Sequence, residues 1–227
     1  MRDARIDLSA LRVNVGLLVS PRLVVDVAAD AYGHGAIEVA NAAITAGARM
    51  LRVRDADEES ELRRAGIDVP IIVSVRQDGA ESSAVYGVGS AARAHGFRPV
   101  MRVSAPVISL KTIDEGEPVS YGYTWRAPRR TGLALVPLGY ADGLTRASSN
   151  RGSVWLCGSM RPIVGRVAMD VIVLELGSDI VALGDEAVLF GDPETGVAAV
   201  DEWALTIGLD ALDVTAGIGT RVRRSYV

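Results

Sequence analysis

The sequence contains one lysine, one cysteine and two histidines in 227 residues. Cys157 alone excludes an intrachain disulfide, and no cysteine–histidine spacing suggests zinc. A lone cysteine suits a reducing compartment, so a cytoplasmic location is expected. No apolar run approaches the length of a membrane span, and the opening MRDAR is not followed by a signal-type apolar core. A net charge of −4 gives no electrostatic reason to expect nucleic acid or an anionic membrane as a partner. The basic residues are arginines with the single exception of Lys111, so Schiff-base chemistry has one side chain to draw on. Internal repeats and low-complexity linkers are absent.

What is present describes a globular chain. Hydrophobic residues make up 49% and charged residues 23%, enough to bury a sizeable core in one or two domains. The first 20 residues read as a short lead and an amphipathic helix, capped by Asp7 or Ser9, with Leu8, Leu11, Val15 and Leu18 on one face. A strand at 23–28 follows, then a helix over Ala36–Ala46 with Ile37, Ala40, Ala43 and Ile44 as its buried stripe, ended by Gly47. Met50–Val53 and Pro70–Val75 read as further strands, separated by the charged helix Asp55–Arg64. This is a parallel α/β pattern. Beyond about Phe97 the pattern changes to short β segments between turns: Val100–Leu110, Pro118–Tyr123, Leu133–Leu138, Ser153–Leu156, Pro162–Val167, Ile172–Leu176 and Ala187–Phe190. Those segments predict an antiparallel β domain, with a short helix at Val200–Thr206.

The chain is organised around Arg22–Gly35, RLVVDVAADAYGHG, an apolar strand with one polar interruption, Asp26, running into a glycine-rich turn. Strand ends of this kind carry the chemistry of parallel α/β proteins. The segment resembles alanine racemase, a pyridoxal-phosphate enzyme whose strand ends VVKADAYGHG. In that family the lysine holds the cofactor as a Schiff base; here its position is Ala28. The segments RPVMRVSAPVISL, VSYGYTWRAP, LVPLGYADGLTRASSNRG, PIVGRVAMD, LGDEAVLFG and GIGTRVRRSYV resemble the family's carboxy-terminal domain, in family order. The first half resembles it from Arg5 to about Val75 and then jumps, since Ala84-Val85-Tyr86-Gly87 is similar to the end of the family's RPGIALYG segment. Against an eight-unit barrel, roughly four βα units are missing, and three or four strands cannot close one. The resemblance therefore implies an α/β plus all-β chain. A truncated, open alanine-racemase-like (β/α) barrel remnant at 1–96 precedes an antiparallel β domain of the alanine racemase C-terminal type at 97–227. The remnant's sheet edges need cover from its own loops, the β domain or another chain.

The resemblance also assigns site residues. The catalytic tyrosine, which comes from the partner subunit in the family, matches Tyr121; the plainer alternative is a tyrosine packed at a domain surface. Tyr140, Arg146, Arg166 and Asp170 match residues lining the substrate corridor, and Met169 a position whose backbone amide meets the substrate carboxylate. The alternative is a charged set that only holds the β domain and its dimer contact. Among the cofactor's phosphate ligands only Tyr32 survives. The phosphate-binding glycine aligns with Ser82, the carboxy-terminal tyrosine with Leu212 beside Asp213, and the arginine of RPGIALYG with Ala80. Arg76 substitutes for that arginine only if four residues loop out. Lys111 lies in a β segment far from the matching position. Asp30, Tyr32 and His34 could bind a metal or act as acid and base, but a capping aspartate and a satisfied histidine account for them more simply, and no metal is expected. Gly33-His34-Gly35 lacks the spacing of a nucleotide loop.

Three functions compete. The favoured one is an alanine-racemase homologue without lysine-dependent racemisation, turned to cofactor-independent acid–base chemistry, with Tyr121 as acid or base, or to small-molecule binding. The others are a working pyridoxal-phosphate racemase and a non-catalytic dimeric interaction protein. The expected partners are a small amino acid or carboxylate and a second copy of the chain. No covalent cofactor is expected; non-covalent pyridoxal phosphate is left open.

Overall fold

The computed structural model describes residues 1–76 and 81–227, in two compact units. One comprises Arg5–Met101 with Ala211–Gly217 and Arg224–Val227; the other comprises Met1–Ala4, Arg102–Asp210 and Ile218–Arg223. The α/β unit thus takes in two short late segments that composition does not reveal.

In the α/β unit, three short parallel strands, Val25–Asp26, Leu51–Val53 and Ile71–Val73, lie side by side in chain order. The register places Val25 beside Leu51 beside Ile71, and Asp26 beside Arg52. Among the described residues no closed barrel forms. The edge of Val25–Asp26 meets a single parallel bridge from Glu81. At the opposite edge Ile72 and Val73 are exposed.

Helix Leu8–Leu18 begins where the Asp7 carboxylate accepts from the Ala10 amide, which resolves the two capping candidates. Its buried face is Ala10, Leu11, Asn14 and Val15, and buried Asn14 donates to the carbonyls of Val85 and Arg98. Helix Ala36–Thr45 buries Val39, Ala40, Ala42 and Ala43. The expected stripe is rotated, because the alanines let backbones approach closely while Ile37 and Ile44 stay half-buried at the margin. Helix Ala56–Arg64 buries only Leu62, as a charged outer helix should. The strand Asp3–Ile6 and the helices Ser90–Ala94 and Ala211–Ala216 carry no strong periodic signal, and the sequence reading misses them.

The second unit is antiparallel. Four strands run in the order Ser159–Pro162, Ser153–Leu156, Glu186–Phe190, Met101–Pro106. A second sheet has the order Ile172–Gly177, Thr131–Val136, Ser109–Ile113. Ile172–Gly177 alternates buried and half-buried residues along its whole length, the period of two that a one-sided sheet requires. Ile113, Val119, Ala127, Leu133 and Val164 form a core cluster, with Trp125 and Val173 packed against it. Helix Val200–Ile207 seats Trp203 near Phe190, and the indole N–H donates to the Ser153 carbonyl at 3.1 Å.

Three β expectations are corrected here. Val100–Leu110 is two strands in different sheets, broken after Pro106. Pro118–Tyr123 is strand only at Pro118–Val119, because Gly122 at φ 73° turns the chain into a 3₁₀ turn. The strand expected at Pro162–Val167 lies earlier, at Ser159–Pro162.

Candidate functional site

The α/β unit places a strained turn at the end of its first strand. Ala29, Asp30, Ala31 and Tyr32 have φ of 53°, 55°, 53° and 52°, a left-handed helical turn built from residues other than glycine. Such a conformation costs roughly 1–2 kcal/mol per residue and persists only where surroundings hold it. Here the Ala29 amide donates to Glu58 at 2.9 Å, and the Asp30 carboxylate accepts from the Ala36 amide at 2.8 Å. The Arg224 guanidinium donates to the Gly33 carbonyl at 3.0 Å. Gly33 can only be glycine, since a Cβ there would run into the Thr215 carbonyl.

His34 is buried beneath this turn. Its Nδ1 donates to the Ala31 carbonyl at 2.8 Å, and its ring stacks on Tyr86 with centroids 4.5 Å apart. Burial pushes its pKa down to about 4. An unfolded histidine titrates near its ordinary value of 6.5. Below that value the unfolded chain takes up a proton that the folded chain refuses. The stabilisation is therefore complete above the unfolded pKa and is lost as pH falls towards 4, at up to about 1.4 kcal/mol per pH unit. The stability difference between the protein and a His34→Gln variant should accordingly shrink between about pH 7 and about pH 5. Denaturant titrations at both values test this, and a difference that does not change with pH would contradict it.

Under the turn lies a buried charge cluster that the sequence reading does not single out. Asp26 is fully buried and Arg52 is 6% exposed. Arg52 Nη1 donates to both carboxylate oxygens of Asp26 at 2.9 Å, and Nη2 to the Ser74 carbonyl at 2.6 Å. The Ala28 amide donates to Asp26 Oδ1 at 3.1 Å and the Tyr32 hydroxyl to Oδ2 at 2.6 Å. Ser82 hydrogen-bonds the same phenol. Burial, with the bond and charge of Asp26, pushes the Tyr32 phenol well above its usual range, so it stays a donor. Burial does the same to Tyr86, whose hydroxyl donates to the Asp26 carbonyl at 2.7 Å. One signal could have exposed the pair: a single acid and a single base, each inside an apolar strand, at matching places in consecutive strands.

The other sequence-predicted residues of this unit lie as follows. Ala28 is buried beside Asp26, and Ser82 is buried. Leu212 is buried as an apolar side chain. Arg76 is exposed. Ala80 lies outside the described residues. No group of three or more metal-capable side chains occurs among the described residues.

In the antiparallel unit, three loops bring the corridor residues together. Tyr121 opens the 3₁₀ turn Tyr121–Tyr123 and is 75% exposed. Its neighbour Ser120 donates to the Arg166 carbonyl at 2.7 Å, and a Cβ on Gly122 would lie 3.2 Å from the Arg166 Cζ. Tyr140 opens a second turn, Tyr140–Asp142, held by the buried Asp142 carboxylate accepting from the Gly139 amide at 2.9 Å. The amides of Tyr140 and Ala141 donate to the carbonyls of Ala168 and Met169, both at 3.0 Å. The Arg146 guanidinium carbon lies 5.9 Å from the Tyr140 ring centre, within cation–π range. Asn150 joins the loops, donating to Thr124 Oγ1 at 3.1 Å and accepting from the Gly165 amide at 2.6 Å. Asp170 is engaged by Arg221 at 2.6 Å. Tyr121, Tyr140, Arg146, Arg166 and Met169 are exposed, a tyrosine, arginine and methionine surface of the composition that interfaces favour. Lys111 is exposed on the strand Ser109–Ile113 of this same unit.

The family described as "Alanine racemase, C-terminal domain" matches residues 100–226, and "Alanine racemase, N-terminal domain" matches residues 6–117. The chain belongs to the alanine racemase family. It is 46% identical over 145 residues to the alanine racemase of Salinispora arenicola, a match covering 63% of this chain and 39% of the relative. With the alanine racemase of Thermobifida fusca it shares 43% over 131 residues, covering 58% of this chain and 35% of that one. The match thus spans well under half of these relatives' length. The crystal structure of alanine racemase from D-cycloserine-producing Streptomyces lavendulae aligns with a TM-score of 0.93 at 26% identity, over 100% of this chain and 97% of that one. Alanine racemase from Streptomyces coelicolor A3(2) gives 0.88 at 26%, over 100% and 98%. The fold is alanine-racemase-like: a partial α/β region and an antiparallel β domain, without a closed barrel.

Proposed function

We propose that this alanine racemase homologue has lost lysine-dependent racemisation and that its loop set around Tyr121, Tyr140 and Arg166 binds a small carboxylate or amino acid. The observation that carries this is Ala28 in the lysine's position, directly above a buried Asp26–Arg52 pair. The residues present do not fit pyridoxal phosphate. Ala28 offers no amine, Leu212 and Ser82 stand at two phosphate-ligand positions, and the Tyr32 hydroxyl is already given to Asp26. A racemisation assay with added cofactor tests the loss; D-alanine formation at a rate typical of an alanine racemase would overturn it. Binding of D- or L-alanine that Arg166→Ala abolishes would support the carboxylate site.

The chain acts as a homodimer in this reading, with Tyr121 and Arg166 serving a shared site. Support comes from the exposure of Tyr121, Tyr123, Tyr140 and Met169 beside two arginines. That exposure also favours a second reading, in which the loops serve association alone. Light scattering across micromolar concentrations should give a dimer mass that Arg166→Glu shifts towards monomer, because charge reversal disrupts an arginine contact at an interface. A monomeric mass unchanged by Arg166→Glu would rule out both the shared site and the association reading. The described residues hold no helix long and apolar enough to cross a membrane. Cytoplasmic residence belongs to the same proposal.

A further inference from the structure

The Asp26–Arg52 cluster does more than fill the space of a missing lysine. Asp26 stands where the motif VVKADAYGHG has an apolar valine, so the site carries a buried carboxylate as well as lacking an amine. Among the described residues that carboxylate accepts four hydrogen bonds from three donors: Arg52 Nη1 on both oxygens, the Ala28 amide on Oδ1 and the Tyr32 hydroxyl on Oδ2. The resemblance assigns the Tyr32 hydroxyl to a cofactor phosphate. A phenol has one proton to donate, and here it goes to the protein's own acid at 2.6 Å. A phosphate arriving at Tyr32 would meet a donor already in use and a carboxylate directly behind it, in surroundings that screen charge weakly. Arg52 is the cation that could have offset this, but Asp26 neutralises it. Among the described residues its Nε is buried without a partner, so the guanidinium has donor capacity that these residues do not use.

We propose that the Asp26–Arg52 pair is an anion-excluding plug, which holds the Tyr32 hydroxyl inward and closes this position to phosphate and to phosphorylated ligands. The proposal deepens the functional reading above and rests on it. Its consequence is a latent anion site. Removal of the charge on Asp26 leaves a buried, uncompensated guanidinium beside a phenol no longer held by a carboxylate, and such a group recruits an anion.

Isothermal titration with inorganic phosphate, and separately with pyridoxal phosphate, tests the plug. The unmodified protein and Tyr32→Phe should show no saturable binding of either at millimolar concentrations. Asp26→Asn keeps the shape, removes the charge and should bind phosphate at least about tenfold more tightly than the unmodified protein. The double variant Asp26→Asn/Arg52→Met should lose that gain. Saturable binding by the unmodified protein, weakened by Tyr32→Phe, would overturn the plug, and so would a folded Asp26→Asn that binds no better. If Asp26→Asn does not fold, the titrations of the unmodified protein and Tyr32→Phe still decide, because both retain the pair. Phosphate binding by the unmodified protein without racemisation would sink the plug and leave the functional reading intact; racemisation would sink that reading itself.

Discussion

Replacing Asp26 with alanine is expected to destabilise the protein by about 3–5 kcal/mol. The side chain is fully buried, and its loss takes a partner from three groups at once. Among the described residues Arg52 keeps its bond to the Ser74 carbonyl, the Tyr32 hydroxyl keeps Ser82 but loses the carboxylate it donates to, and the Ala28 amide loses its acceptor. Each buried group left unpaired adds its own desolvation cost. The comparison that isolates the charge is Asp26→Val/Arg52→Met, which removes both partners and leaves apolar volume. That double variant should lose less stability than Asp26→Ala, because it buries no unpaired guanidinium, while the Tyr32 hydroxyl and the Ala28 amide lose Asp26 equally in both. Denaturant midpoints with unchanged slopes give both values. A loss below about 1 kcal/mol for Asp26→Ala would mean that water reaches the pair and that the cluster is not closed.

The second large effect is on activity. Ala28→Lys should not restore alanine racemisation, even with pyridoxal phosphate supplied. The carboxylate beside position 28, Asp26, is already engaged by Arg52 and by the residue-28 amide. The phenol of Tyr32 would still face Asp26, and Ser82 and Leu212 would still stand where the resemblance implies two phosphate ligands. Catalytic groups acting as a unit are strongly non-additive, so one restored member recovers little without the others. D-alanine formation from L-alanine, followed by chiral chromatography, decides. Turnover of the order usual for enzymes, about 1 per second or faster, would show that the pocket has been misjudged.

Much of this architecture is legible from local pattern. The strand–helix alternation before Val75 and the short β segments after Phe97 carry their periods openly, and DAYGHG marks the turn. The late helix Ala211–Ala216 and the segment Arg224–Val227 are harder to see, since their place in the α/β unit depends on contacts distant in sequence. The left-handed turn is invisible for a different reason. Ala29, Ala31 and Tyr32 have no intrinsic preference for positive φ, and bonds to Glu58, Asp26, the Ala36 amide and Arg224 hold the turn in place. At the site, the missing lysine could be read directly, because a substitution within a motif is a local fact. The buried pair beside it could not, because the Asp26–Arg52 contact needs the parallel register that sets one residue beside the other. The corridor residues were named by motif, but their exposure and the engagement of Asp170 by Arg221 follow from loop geometry.

The central claim is that Ala28 and the pair beneath it leave no place for a covalently held cofactor. The most direct measurement is borohydride reduction of the purified protein in the presence of pyridoxal phosphate, followed by intact mass and peptide mapping. The account predicts no stoichiometric phosphopyridoxyl adduct, with Lys111 unmodified beyond the trace expected of any exposed lysine. A stable adduct on Lys111 at one per chain, with the absorption band of a reducible aldimine before treatment, would contradict it.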